Sequence, residues 1–344
     1  MRLIFVDDSI AFDGFTPSAQ PLGGAEKSLA RLAVSLAARG HSVEVYNRCQ
    51  GMVNAQGATW LPFESDRPTL ADAVIALRKP ELLDFVAQPR RRILWMNGAV
   101  SELEAPRAKA ALADLSRPNV VFFAGWQRNR WQNPGGNTTR VIAPGIAAEF
   151  VSDTAMDPAD PPRAIATAHP LAGVDWLIKM WVAKIRPQVP NAELHLFSAT
   201  LDRAQLGEAV APEIRPIADL LKTAREHGVV VRWPLPDPAM ADEYRRARVL
   251  LHPGFADETV GLHLLEAQAT GLPVVTRVTS PIAEERVHDG QTGVIAKNND
   301  AFAAAAVNLL NDKIAFNLMS SNASSTRRGR TWPVVAAEWE AMLD

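Results

Sequence analysis

The sequence predicts an α/β protein made of two doubly wound halves facing one cleft. Three observations carry this expectation. Strand-like apolar runs alternate with helix-patterned stretches, the signature of mostly parallel sheets with crossover helices. The alternation breaks once, at residues 153–162 (DTAMDPADPP), and then restarts. The length of 344 residues fits two domains of ~150 residues each.

The elements follow in order. Leu3-Ile4-Phe5-Val6 reads as a buried strand. A loop rich in Gly, Pro and Ser runs from Gly14 to Gly24. Ala25–Ala38 then carries Leu29, Leu32, Ala33 and Leu36 at helical spacing, and Gly40 stops it. His41–Tyr46, Ile93–Met96, Val120–Phe123 and Arg140–Ala143 are the next strand candidates. Residues 1–152 are thus expected to form the first domain and 153–162, with three prolines and three aspartates, the linker. In the second domain, 163–325, the strands are Ala164–Ala168, Glu193–Phe197, Val229–Trp233, Val249–His252, Val274–Arg277 and Gly293–Ala296. Helices are expected over Gly173–Ile185, Pro238–Arg246, Gly261–Thr270 and Asp300–Leu310. Residues 326–344 form a closing helical segment expected to pack back on the first domain.

Charge and composition then exclude several functions. Lys+Arg number 36 against 38 Asp+Glu, so the basic excess that holds nucleic-acid phosphates is missing and no nucleic-acid partner is expected. One cysteine, Cys49, makes no internal disulfide, which fits a reducing cytoplasm. No apolar run reaches the ~18–20 residues of a membrane span, and the N-terminus turns acidic at Asp7, unlike a signal peptide. There is no G-x-G-x-x-G, P-loop, G-x-S-x-G or H-E-x-x-H motif, and the seven histidines show no paired spacing. Nor is there an Asp-x-Asp triplet, so neither a metal nor a bound cofactor is expected.

The strongest motif runs from Asp257 to Val275: DETVGLHLLEAQATGLPVV. It follows a strand and the turn Pro253-Gly254. A helix starting near Thr259 or Val260 would aim free N–H groups and a positive dipole end at a phosphate. Glu258 would stand just before that helix, at the rim. Glu266, eight residues on and a little over two turns at ~3.6 residues each, would point roughly the same way but deeper. Two carboxylates so placed would accept hydrogen bonds from sugar hydroxyls.

This segment resembles the signature of the family 4-type retaining GT-B glycosyltransferases (glycosyl transferases group 1): two glutamates separated by seven residues, then G-x-P-V-V. Other stretches resemble the family in its order. They are Leu22-Gly23-Gly24-Ala25-Glu26, the run Val141–Ile146 with Phe150, Gly173–Ile178 with Pro190–Leu196, and Ile282–Glu285 through Asp289–Gly293. The resemblance implies two Rossmann-like domains and transfer of a sugar from a nucleotide-sugar co-substrate to a saccharide, lipid-linked or other acceptor. It also implies retention at the anomeric carbon without a metal, in the cytoplasm or peripherally at the inner face of the membrane. It implies that Gly23 and Gly24 let the backbone approach donor phosphates or acceptor and that Glu258 contacts donor sugar hydroxyls. Thr259, Val260, Gly261 and Leu262 would offer backbone N–H groups, and Glu266 would take the ribose hydroxyls. The leaving phosphate can accept the acceptor's proton, so charge stabilisation carries most of the chemistry.

Two positions depart from the pattern. Thr167 and Ala172 stand near where the family carries a diphosphate-binding Arg and Lys. His169, if protonated, would be the substitute cation, and Glu258 and His169 are the catalytic candidates. Asn97, in Trp95-Met-Asn-Gly98, and Trp126 are candidates for the acceptor side. The missing cations leave a second reading open: a degenerate GT-B protein that binds a nucleotide or sugar without transfer.

Overall fold

The computed structural model describes residues 1–114, 117–151 and 153–343. The chain divides into two compact units, Met1–Gly145 with Arg330–Asp344, and Ile146–Gly329. Ser152 and Asp344, at the expected ends of the first domain and the closing segment, lie outside the described residues. Among those described, no helix is long and apolar enough to cross a membrane.

The first unit is an eight-stranded sheet. Its strands are β1 (Arg2–Val6), β2 (Ser42–Asn47), β3 (Val53–Ala55), β4 (Ala58–Pro62), β5 (Leu70–Leu77), β6 (Gln88–Met96), β7 (Asn119–Phe122) and β8 (Thr139–Val141). The spatial order is β3-β4-β2-β1-β5-β6-β7-β8. All neighbours are parallel except the β3–β4 hairpin at one edge. Sequence patterning misses β3, β4 and, more consequentially, β5. The segment Leu-Ala-Asp-Ala-Val-Ile-Ala-Leu has the composition of a helix, yet it pairs with both β1 and β6 and is buried from Ala73 to Leu77. Small side chains on both faces suit a strand covered on both sides, where burial overrides intrinsic preference.

The closing helix Trp332–Leu343 belongs to this unit. It buries Trp332, Val335, Ala336, Trp339 and Leu343. Trp339 meets Trp95 of β6 edge-on at 4.9 Å between ring centroids. Glu340 takes Arg39 and, at 3.0 Å, His41 Nε2, tying the helix to the end of Gly24–Ala38. At Gly145 an added Cβ would stand 2.8 Å from the Trp332 backbone. The closing helix therefore docks against a position that only glycine leaves open.

The second unit has six strands: β9 (Arg163–Ala166), β10 (Glu193–Phe197), β11 (Val229–Arg232), β12 (Val249–Leu251), β13 (Val274–Arg277) and β14 (Gly293–Ala296). Their order, β11-β10-β9-β12-β13-β14, is parallel throughout. That order reverses direction between β9 and β12. A doubly wound sheet opens a ligand crevice there, at the carboxyl ends of the two strands. The Pro- and Asp-rich stretch read as a linker lies inside this unit. Asp157 and Ala159 N–H groups donate to the Arg245 and Arg246 carbonyls at 3.0 and 2.9 Å, so backbone pairing holds what composition alone would leave loose.

Candidate functional site

The crevice of the second unit is bounded by two loops: residues 167–173 after β9, and 252–261 after β12. The helix that follows runs Leu262–Thr270, one residue later than the expected Gly261–Thr270 and two to three later than a start near Thr259 or Val260. The reason is Gly261. It sits at φ 60°, a left-handed conformation that ends the loop, and an added Cβ would lie 2.7 Å from Ile282 Cγ1. Gly271, at φ 98°, stops the helix at its other end. Thr259 and Val260 are therefore loop residues, not helical ones, and Glu258 does not share a helix face with Glu266. The helix N-terminus carries no side-chain cap, and Leu264 N–H turns back to the Gly261 carbonyl at 3.2 Å.

Glu258 is held by histidines on both sides. His252 Nε2 donates to its Oε2 at 2.7 Å, and His263 Nδ1 lies 3.5 Å from its Oε1. The other ring nitrogen of His252, at the end of β12, is hydrogen-bonded to the Thr276 hydroxyl of β13 at 2.9 Å. Burial alone would raise the Glu258 carboxyl. The charges of His263 and His252, the hydrogen bond from His252 and the charge of Arg286 outweigh it and bring the pKa from 4.5 to about 2. The site thus holds a firmly ionised carboxylate with a fixed orientation. His252, Glu258 and His263 also bring three ligand-capable atoms within 4.8 Å of one another, a set that could hold a transition-metal ion. Histidines eleven positions apart gave no sign of it in the sequence.

Glu266 is buried in the middle of the helix. Its neighbour is Tyr244, whose hydroxyl is pushed well above its ordinary pKa, first by burial and then by the Glu266 charge, with Thr167 acting in the opposite sense. The Glu266 charge and Thr167 thus both act on this one buried hydroxyl. His169 is exposed on the 167–173 loop, where its Nδ1 accepts the Leu171 N–H at 3.3 Å.

Two arginines that the sequence does not single out enter this region. Arg286, at the end of the helix Pro281–Arg286, is buried, and its Nε donates to the Val260 carbonyl at 3.5 Å. Arg277, the last residue of β13, donates through Nε to the Pro253 carbonyl and through Nη2 to the Gly254 carbonyl at 3.4 Å. Its guanidinium lies 3.9 Å from the centroid of the Trp176 ring. Burial lowers its pKa, with Asp175 pulling in the opposite direction.

The remaining candidates lie in the first unit. Gly23 precedes the helix Gly24–Ala38, and an added Cβ there would lie 2.6 Å from the Glu26 carboxylate, which folds back over the helix start. Arg78, just after β5, bridges Glu26 and Asp7, just after β1. The glycine pair therefore borders a charged cluster at the carboxyl ends of β1 and β5. Asn97 follows β6 and is buried. Trp126, on the helix Gly125–Arg130, is covered by the Arg130 guanidinium at 5.1 Å.

Two Rossmann-like, mostly parallel sheets, the second with a glutamate-bearing helix at its switch point, define the GT-B fold of glycosyltransferases. Solved structures agree across the whole chain. Sucrose-phosphate synthase from Thermosynechococcus elongatus superposes with a TM-score of 0.77 at 15% identity, covering 99% of this chain and 98% of that one. Anabaena Alr3699/HepE, solved with UDP and glucose, gives 0.74 at 16% identity over 100% and 99%. The family model for glycosyl transferases group 1 matches residues 164–312, within the second unit. A D-inositol 3-phosphate glycosyltransferase from Kribbella flavida is 30% identical over 262 residues, 74% of this chain and 59% of that protein. Its counterpart from Nocardia farcinica is 28% identical, covering 67% and 50%. The chain thus spans little more than half the length of these curated relatives.

Proposed function

We propose that this protein is a glycosyltransferase. It moves a sugar from a nucleotide-diphosphate donor to a hydroxyl of a saccharide, lipid-linked or other acceptor, with retention at the anomeric carbon and no metal. It works in the cytoplasm or at the inner face of a membrane. The observation that carries the reading is the ionised Glu258, fixed by His252 at the switch point of the sheet and followed by the helix that buries Glu266. In this reading Glu258 accepts hydrogen bonds from donor sugar hydroxyls, and Glu266 takes the ribose hydroxyls. The backbone of Thr259, Val260, Gly261 and Leu262 faces the sugar and diphosphate. A carboxylate with so low a pKa remains an acceptor at any physiological pH and is a poor proton donor. The proton released by the acceptor hydroxyl therefore goes to the departing phosphate.

The metal-free part of the proposal has a direct check, because His252, Glu258 and His263 form a set of possible ligands. Dialysis against EDTA is expected to leave transfer unchanged; loss of activity restored by a divalent ion would reverse it. The overall test incubates purified protein with UDP-, GDP- and ADP-sugars and follows nucleotide release and product anomers by NMR. Glu266→Gln should lose nucleotide affinity, and Glu258→Gln should lower turnover about 10²–10³-fold, as when a fixed polar contact to the transition state is removed. Thr167 and Ala172, standing where the resemblance has cations, favour one rival reading: binding without transfer. A wild-type protein that binds a nucleotide-sugar tightly and never releases the nucleotide would establish that rival.

A further inference from the structure

Arg277 is held in an unusual way for a charged side chain beside a crevice. Its partners are two backbone carbonyls, of Pro253 and Gly254, and the face of Trp176. These fix the plane of the guanidinium without cancelling its charge. Among the described residues no carboxylate lies within ion-pair distance of it. Asp175, the acid that acts on it electrostatically, is paired with Lys179 at 3.2 Å. Arg78 and Arg163, also half-buried, are matched by Asp7 and Glu26 and by Glu243. An unmatched, partly desolvated cation is costly unless an anion completes it.

Position turns this into a ligand argument. Arg277 starts from the end of β13 but its side chain crosses the carboxyl end of β12. It reaches Trp176, beyond the loop that follows β9. Nη2 comes within 3.6 Å of where a Cβ on Gly173 would stand, and Gly254 offers no side chain to block the approach from the other loop. The guanidinium therefore stands between the two loops that bound the crevice. A planar fork fits phosphate oxygens better than a point charge does.

We infer that Arg277 is the residue that meets the diphosphate of the donor, supplying from β13 the positive charge of the site. This rests on the nucleotide-diphosphate reading above. The test measures Arg277→Gln and Arg277→Lys against wild type with two probe pairs, UDP with uridine and GDP with guanosine. Diphosphate affinity is read by calorimetry and nucleoside affinity by ligand-observed NMR. For the diphosphate that wild type prefers, Arg277→Gln is expected to bind ~10- to 100-fold more weakly, the range for a lost charge-assisted hydrogen bond. Nucleoside affinity should be unchanged. Arg277→Lys should fall in between, because it keeps the charge and loses the fork; it also serves if the Gln variant folds poorly. Unchanged diphosphate binding in Arg277→Gln overturns the inference while leaving the glycosyltransferase reading intact. A parallel loss of nucleoside and diphosphate also overturns it, because Arg277 would then be shaping the loops only. Wild-type protein that binds no diphosphate overturns both.

Discussion

Glu258 offers a test of the site that needs no substrate. Its carboxyl ionises near pH 2 in the folded protein against an ordinary 4.5. A carboxylate with a depressed folded pKa stabilises the fold above its unfolded pKa, and that stabilisation is lost as pH falls through the window from 4.5 to 2. At about 1.36 kcal/mol per pH unit the full contribution is about 3 kcal/mol. About 1 kcal/mol of this has gone by pH 3.5, because the unfolded chain is by then largely protonated at this position and the folded one is not. The perturbation is Glu258→Gln, which removes the titration while keeping the side-chain shape. Urea unfolding at pH 6, 5, 4 and 3.5 gives the free energy at each pH. The variant should be less stable than wild type at pH 6, and the gap should narrow by about 1 kcal/mol between pH 6 and 3.5. Parallel curves for the two proteins across that range would refute the reasoning, since Glu258 would then titrate alike in both states.

Other expectations concern the elements that position the site. Gly261→Ala forces a side chain into a left-handed backbone and toward Ile282; a loss of about 2–4 kcal/mol is expected by thermal or urea unfolding, combining the conformational cost with overpacking. Trp339→Ala removes a fully buried indole from its contact with Trp95. It should cost about 3–5 kcal/mol, seen as an earlier transition of the first unit with the second unit's transition unmoved. Glu340→Ala breaks the pairs with Arg39 and His41 at a partly exposed position. The effect should be small, as for exposed ion pairs in general, and measurable as a slight shift in urea midpoint.

Much of the architecture is legible because its strands are short, apolar and bounded by turn residues. Glu193–Phe197, Val274–Arg277 and Gly293–Ala296 are read to the residue. The glutamate pair is legible because both residues lie in one local segment. The features missed are those that depend on distant partners. β5 goes unassigned because its alanine-rich composition does not mark a strand until the neighbours on both sides, β1 and β6, are known. Thr259 and Val260 look like the start of a helix because local patterning carries no sign of the turn at Gly261. His252 and His263 converge on Glu258 only because a loop folds one back over the other. Arg277 ends its strand like any basic residue facing solvent, and only the sheet order shows that its side chain crosses β12 toward the loop after β9. The sequence marks Thr167 and Ala172 as departures from the family pattern and offers His169 of the same loop as a cation; Arg277 lies two strands away in the sheet, beyond the reach of local patterning.

The first unit is completed by residues that follow the whole of the second unit. Arg39 finds Glu340 301 positions later, and Trp95 waits for Trp339 to cover it. At ~5–20 residues per second of synthesis, the helix Gly24–Ala38 spends roughly 15–60 s without its partner. The second unit, by contrast, is one uninterrupted stretch, Ile146–Gly329. Birth order and completion order are thus reversed. The half that carries Glu258 and Glu266 can close while the half made before it still lacks the helix that covers Trp95.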